Sequence, residues 1–248
     1  FSFKKIMTLV KPDDTVLYNK LVTLNDTIKQ VEKTGGDFSA VLRNSKVLMS
    51  ESEGLFKRHV RTNKSKALLE EFNRYAKVLH QSLQFKANGY SSAVRGRYMA
   101  ENIYDMVGKL DNGSIVVSAD NTHVSRLSGS MGSHLSDKLG EQYWALGVTF
   151  QSGTYSAYGD KAYYDVHEPY VGTYEYLLSK SQHDNFLIDL AQSHKIKGLT
   201  KAQGFRMIGS RPQEVTQFAK INIRQHFDAI LFLRQSTHTR KLMRQQQP

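Results

Sequence analysis

Three residues near the middle of the chain have side chains suited to proton transfer. Asp120, Asn121 and His123 bring a carboxylate, an amide and an imidazole within four positions. An imidazole acts as an acid or base near neutral pH, a neighbouring carboxylate can orient it, and an amide can hydrogen-bond a substrate oxygen. The same residues also suit an ordinary polar loop in which Asp120 and Asn121 cap the next turn. The residue types alone leave both interpretations open.

The element expected to position this loop is a short strand. Ile115, Val116 and Val117 form a continuous β-branched run, which is typical of a strand buried on both faces. We therefore predict a strand over residues 114–118. Ligands bind beyond the carboxyl ends of strands in open α/β sheets. From this pattern we expect His123 to lie beyond the end of that strand and to face a cleft.

The first hundred residues are predicted to be helical, because apolar residues recur at spacings of three and four. The first helix is expected to begin at Asp13 and Asp14 and to end at the glycine pair Gly35 and Gly36. The apolar stripes predict helices over residues 17–31, 41–49, 64–85 and 95–110.

The rest of the chain alternates predicted strands and helices. The strands are expected at 143–150, 186–190, 205–208 and 227–233, and the helices at 131–139 and 213–222. This alternation predicts an α/β fold with a mostly parallel sheet flanked by helices. We divide the chain into a helical segment (1–94), an α/β region (95–235) and a basic polar tail (236–248).

A tyrosine-rich segment follows the strand predicted to end at residue 150. Seven tyrosines lie between residues 153 and 176, with two glycines and little regular pattern. Aromatic side chains line many small-molecule pockets, so this segment can form the wall of a substrate cleft. We select Tyr155 and Tyr158 as candidate substrate contacts. The alternative, that the segment simply covers a sheet edge, stays open.

Composition excludes several classes of function. The chain has no cysteine, which removes disulfides, thiolate zinc sites and cysteine nucleophiles. Its formal net charge of +11 is spread out, and the densest basic group, residues 57–66, lacks the interleaved aromatic residues of single-strand binding surfaces. No serine-hydrolase, phosphate-loop or Rossmann motif occurs. We expect no nucleic-acid partner, no membrane insertion, no cofactor and no metal, in a soluble chain for which the cytoplasm is slightly favoured.

Four motifs carry a resemblance to a known family. They are a helical motif at 95–103, the loop at 119–123, Met-Gly-Ser-His-Leu from Met131, and Gly-Val-Thr-Phe at 147–150 followed by Gly153. In order and spacing they resemble the Arg-Asp-x-x-Met-Ala-x-Asn helix, the Ala-His-Asn-x-His loop, the Met-Gly-x-x-Leu helix and the Gly-Phe-Thr-Phe strand of the erythromycin esterase family. The resemblance extends over roughly residues 65–235.

The resemblance implies hydrolysis of a small-molecule ester, for which the lactone of macrolide antibiotics is the best-known case. Water attacks with the help of a general base, and no covalent nucleophile is implied. Carried over to this chain, His123 is an acid/base or polarising group and Arg95 stabilises an oxyanion or holds a cleft carboxylate. Asp120 and Asn121 orient the groups beside them.

The chain departs from the family pattern at three points. Asp120 replaces the first histidine of the loop, and Gly96 replaces an acidic residue of the helix motif. The Gly-Glu-x-x-His-Gly motif, which supplies the family's base, does not occur. We therefore expect either an upstream N-terminal half as partner or a diverged, inactive relative, and we expect residues 1–248 alone to lack esterase activity. The runner-up is a non-catalytic binding module with a basic surface for an acidic partner.

Overall fold

The computed structural model describes residues 15–59, 63–111, 113–193, 196–212 and 217–239. The chain divides into two compact units, residues 1–95 and 96–248. The predicted helix start at Asp13 and Asp14 lies outside the described residues, as do residues 60–62 of the basic group and most of the predicted tail at 236–248. In the described part of the chain, no helix is both long and apolar enough to cross a membrane.

The first unit is built from helices. These are α1 (Thr15–Thr34), α2 (Ser39–His59), α3 (Asn63–Ala87) and the start of α4 (Ser92–Val107). The apolar spacing of α1 places one face in the core, and Gly35, with a φ of 65°, ends that helix as predicted. The second helix is longer than its apolar stripe indicates. The buried core of this unit consists of Leu17, Leu21, Leu24, Ile28, Val41, Phe72, Leu79 and Leu83.

Helix α4 keeps only part of its predicted apolar face. Met99 and Ile103 pack against the buried cluster formed by Ala100, Met131 and Leu135. Met106 and Leu110, expected on the same face, are 50% and 44% exposed. The helix ends at Val107, so Leu110 falls beyond its last turn and no longer follows the helical period.

The second unit contains a four-stranded sheet in the order β2-β1-β6-β3. Its strands are β1 (Leu146–Tyr155), β2 (Tyr164–Asp165), β3 (Asn185–Asp189) and β6 (Ala229–Ser236). Strand β1 pairs in parallel with β6, whereas the β1–β2 and β3–β6 pairs are antiparallel. The α/β class is confirmed, and the sheet is mixed rather than mostly parallel.

Short helices and a second ladder complete this unit. The helices are α5 (Asn121–Val124), α6 (Met131–Leu139), α7 (Tyr174–Leu178) and α8 (Ile223–His226). Strands β4 (Gln203–Arg206) and β5 (Phe218–Ile221) form an antiparallel pair. Ile230 and Phe232 of β6 pack with Tyr174, Phe205 and Phe227 in the core.

The helix predicted over residues 213–222 is wrong where the structure describes it. Residues 213–216 lie outside the described part, and Phe218–Ile221 is strand β5. Ile221 is buried in the core, and Ala219 pairs in register with Phe205 of β4. Pairing with a distant strand overrides the local pattern that favoured a helix.

The strand predicted at 114–118 is also wrong. Residues 113–120 form no strand, and Val116 is 98% exposed. β-Branched residues favour extended backbone, but a strand also needs a hydrogen-bonded neighbour, and none pairs with this segment among the described residues. His123 therefore does not follow a strand end. Its loop is held by β1 instead.

Candidate functional site

The loop at residues 119–124 brings a carboxylate and an imidazole together. Asp120 is the N-cap of α5, and its Oδ1 accepts a hydrogen bond from the backbone N–H of His123 at 3.1 Å. The other carboxylate oxygen, Oδ2, lies 3.7 Å from Nε2 of His123, whose side chain is 22% exposed. Asp120 therefore caps the turn and faces the imidazole at the same time, so both sequence interpretations describe part of the arrangement.

Asn121 fixes this loop to the edge of β1. Its Nδ2 donates to the carbonyl of Val148 at 2.7 Å, and its Oδ1 accepts from the N–H of Val148 at 3.0 Å. The side chain thus pairs with the strand as a neighbouring backbone would. Nδ2 also lies 3.4 Å from the carbonyl of Arg206. The amide that we expected to meet a substrate oxygen is bonded to backbone, which makes Asn121 a positioning residue for the loop.

Close backbone contacts with α6 support the loop. A Cβ at Gly132 would overlap the carbonyl oxygens of Val124 and Ser125, so α6 packs tightly against α5 only because this position is glycine. The Tyr143 hydroxyl donates to Val124 O at 2.5 Å. Burial raises the pKa of the Tyr143 phenol, which keeps it a donor.

The departure at Gly96 has a related structural reason. A Cβ at Gly96 would overlap the carbonyl oxygen of Gly129, in the turn that leads into α6. Any side chain larger than hydrogen at this position of α4 would push that turn away. The acidic residue that the family pattern carries here would not fit this packing.

An ion pair connects the end of the loop to the sheet. Nη2 of Arg126 donates to Oδ2 of Asp228 at 2.7 Å, and the same oxygen accepts from the N–H of Ala145 at 2.7 Å. Ala145 and Asp228 directly precede β1 and β6, the parallel pair. The loop is therefore tied to the start of both central strands as well as to the edge of β1.

A buried polar network, Thr149, Glu175, Arg206 and Gln217, lies beside the same part of β1. Glu175 is fully buried, and its Oε1 accepts from Thr149 Oγ1 at 2.6 Å and from the N–H of Arg206 at 2.9 Å. Among the described residues, no group forms a hydrogen bond with its Oε2. Burial raises the pKa of the Glu175 carboxyl, although both hydrogen bonds and the nearby Arg206 charge act in the opposite direction.

Arg206 extends from the loop to the middle of β1. Arg206 is only 2% exposed. Its guanidinium donates to the carbonyls of Phe150 at 3.1 Å and His167 at 2.9 Å. It also donates to Oε1 of Gln217 at 2.7 Å. Burial lowers the pKa of this guanidinium. Because the charge is removed from water, backbone and amide oxygens take the place of solvent around it.

Sequence reasoning missed Glu175 and Arg206. The available signal was a charge among apolar neighbours. Glu175 lies in the run Tyr-Glu-Tyr-Leu-Leu, and Arg206 stands between Phe205 and Met207. Charged residues are rarely fully buried without a partner, so such positions are candidates for internal hydrogen-bond networks.

Tyr155 and Tyr158 line an open cleft of about 610 Å³ at the end of β1. Tyr155 and Gln217, which are 8% and 1% exposed, form its floor, and Tyr158 is 83% exposed. Arg206 links the two places, because its carbonyl lies near Asn121 while its guanidinium bonds Gln217 beneath the cleft.

Arg95 is an exposed residue in the first turn of α4 and belongs to the first unit. Within the described ranges, no three His, Asp or Glu side chains gather in a way that would hold a metal ion.

The fold and the loop define an α/β protein with a paired carboxylate and imidazole fixed beside a parallel strand pair. The chain belongs to the erythromycin esterase family, whose profile matches residues 18–236. The family match indicates a hydrolase fold. No match was found among curated proteins.

Two solved structures share the fold. One is a succinoglycan biosynthesis protein, with a TM-score of 0.62, 17% identity, and coverage of 95% of this chain and 61% of that one. The other is a protein from Bacillus cereus, with a TM-score of 0.68, 16% identity, and coverage of 95% and 63%. The chain thus spans less than two thirds of either solved structure, and at these identities the likeness concerns the fold.

Proposed function

We propose that this chain forms part of an ester hydrolase in which water attacks the ester carbonyl with general-base help. The supporting observation is the Asp120–His123 pair, with 3.7 Å between Oδ2 and Nε2 on a loop fixed to β1. An imidazole next to a carboxylate can accept or return a proton, and the carboxylate stabilises the cation that forms. The partly exposed ring can reach a substrate from solvent.

Each loop residue has a separate role in this proposal. His123 transfers a proton or polarises the ester, and Asp120 orients its ring. Asn121 holds the loop against β1, because both polar atoms of its amide are bonded to Val148. Arg95 keeps the role that the family resemblance gives it, which is to stabilise an oxyanion or to hold a carboxylate. Fixed geometry matters here because correct placement of reacting groups supplies a large part of an enzyme's rate advantage.

A further protein segment is part of the proposal. The family's base lies in a Gly-Glu-x-x-His-Gly motif, and the chain does not contain that motif. We therefore propose that an upstream segment supplies the base that activates water, that His123 returns the proton or polarises the ester, and that the whole enzyme needs both parts. The substrate class is a small-molecule ester such as a macrolide lactone. Tyr155 and Tyr158 contact the alcohol part.

The test is ester hydrolysis by the full-length gene product and by its His123→Ala variant. Hydrolysis of erythromycin and of p-nitrophenyl acetate is followed over a pH series. We expect His123→Ala to lower kcat by roughly 10²- to 10⁴-fold, the usual contribution of a proton-transferring side chain.

His183→Ala is the matched control, because His183 is an exposed histidine just before β3 and outside the loop. It is expected to keep full activity. Equal turnover in the native protein and the His123→Ala variant would mean that the imidazole takes no part in the reaction. Equal loss in both histidine variants would point to a general effect on folding.

A further inference from the structure

The cleft at the end of β1 is closed on one side by a fixed loop, residues 156–163, between β1 and β2. The N–H of Tyr158 donates to the carbonyl of Ser210 at 2.7 Å. The Tyr164 hydroxyl donates to Oδ1 of Asp160 at 3.1 Å and accepts from the N–H of Lys161 at 3.3 Å. A Cβ at Gly159 would overlap that hydroxyl, so the backbone at Gly159 packs directly against the Tyr164 side chain. The backbone that carries Tyr158 is therefore held at several points.

Aromatic surface is present at both the floor and the mouth of this cleft. The ring centroids of Tyr155 and Tyr164 lie 5.9 Å apart, and the two ring planes are tilted by 35°. Tyr155 is buried. Tyr158 lines the cleft with 83% of its surface open to solvent. Keeping a large ring exposed on a fixed loop gains nothing for folding, because apolar surface is stabilised by burial. A flat ring in that position is suited to stacking against a ligand.

The charges of the cleft disfavour an anionic ligand. Asp160 and Asp165 supply two carboxylates, Lys161 supplies one ammonium, and His167 adds an imidazole. An anion would meet more negative than positive charge. A ligand with several hydroxyls would find both acceptors and donors, since each hydroxyl can give and receive a hydrogen bond. The volume, about 610 Å³, lies within the range of about 300–1,000 Å³ found for small-molecule sites.

We propose that this cleft binds the pyranose ring of a neutral sugar. The apolar face of the ring stacks on Tyr158, and its hydroxyls bond to Asp160, Asp165 and Lys161. The inference rests on the proposed function in one respect, because the sugar is then the alcohol part of the ester substrate. Binding of a sugar without an ester needs no catalysis, so the two proposals can fail separately.

The experiment titrates the protein with methyl glucoside, methyl galactoside and methyl mannoside and observes the ligand by saturation-transfer NMR. We expect saturable binding of at least one glycoside with a Kd of about 1–10 mM, because a small, well-hydrated ligand gains little free energy on binding at an open site. Tyr158→Ala is expected to raise that Kd by about tenfold or more, and Tyr158→Phe to retain binding because the ring face is unchanged.

Tyr104→Ala is the matched control, since Tyr104 is a 41% exposed tyrosine on α4 outside the cleft. It should bind like the native protein. The inference is overturned if no glycoside binds saturably below about 100 mM, if Tyr158→Ala binds as well as the native protein, or if inorganic phosphate binds more tightly than every glycoside. Glycoside binding that persists in His123→Ala while hydrolysis is lost supports both proposals. Hydrolysis without glycoside binding overturns this one alone.

Discussion

The two compact units differ in what fills their interiors. Among the described residues, the helical unit buries aliphatic and aromatic side chains with Ser45 and Gln81, and no charged side chain. The α/β unit also buries Glu175 and Arg206 completely, beside the strand that holds the candidate loop. A helical core can be filled by apolar side chains because helices satisfy their own backbone, whereas β1 has an edge whose polar groups need partners. The comparison indicates that, among the described residues, charged side chains are buried where strand backbone needs hydrogen-bond partners.

The largest effect is expected from removing the arginine of the buried polar network. Arg206→Met keeps an unbranched chain but leaves the carbonyls of Phe150 and His167 without a donor. We expect a loss of about 3 kcal/mol in the free energy of unfolding, because each orphaned buried acceptor costs about 1–3 kcal/mol. Urea unfolding followed by the fluorescence of Trp144, the chain's one tryptophan, measures it in the α/β unit.

Leu21→Met, in the fully buried core of the helical unit, is the matched substitution, and circular dichroism at 222 nm follows it. It should cost less than about 1.5 kcal/mol because volume is nearly conserved. If Arg206→Met proved no more costly than Leu21→Met, the cost of desolvating the guanidinium would offset its hydrogen bonds, and the contrast between the units would lose its energetic basis.

A smaller effect is expected at the loop. Asn121→Ala removes both bonds to Val148 at the partly exposed edge of β1, and we expect about 1 kcal/mol of destabilisation. Hydrolysis should fall together with stability, because His123 loses its fixed position, while Asn121→Asp should recover only the bond accepted from the Val148 N–H.

Asn25→Ala provides the comparison in the helical unit, where the asparagine side chain donates to the carboxylate of the neighbouring Asp26 on α1. Stability there should stay the same or rise slightly, since alanine favours helix. A destabilisation of equal size in the two units would show that the loop pairing contributes nothing particular.

The smallest expected change concerns the pH dependence of stability. The Glu175 pKa is raised from its usual 4.5 by burial, so the folded protein binds the proton more tightly than the unfolded chain. That contribution is fully present below about pH 4.5 and is lost as pH rises through the folded pKa. Urea midpoints for Glu175→Gln, whose amide carries no charge, should therefore decline less between pH 5 and 8 than those of the native protein.

Glu70→Gln, at an exposed position of α3, should leave the pH profile unchanged. A native profile identical to that of Glu175→Gln would mean that Glu175 does not retain its proton on folding.

The helical unit was largely predictable from sequence, and the α/β unit only in part. Helices α1 and α3 follow from apolar periodicity, which is local. The ladder of β5 and the unpaired state of 113–120 depend on which strands are available elsewhere, so local residue types gave a helix and a strand there. A strand is defined by its neighbour, and single residues do not specify that neighbour.

The candidate site divides in the same way. The Asp120–His123 pairing could be predicted, because three positions separate the residues. The pairing of Asn121 with Val148 spans 27 positions, and that of Glu175 with Arg206 spans 31. No spacing rule connects residues so far apart. Only the odd charge within an apolar run marked Glu175 and Arg206 in the sequence.

The pairing of Asn121 with Val148 has a consequence for hydrogen exchange. An amide at the free edge of a strand normally exchanges with solvent deuterium quickly, yet the Val148 N–H is occupied by a side-chain oxygen. Its exchange requires the loop to detach from β1, an opening far smaller than global unfolding. The protection of this single amide therefore reports the fraction of time that His123 spends away from its ordered position, and it can be read in the resting protein without any substrate.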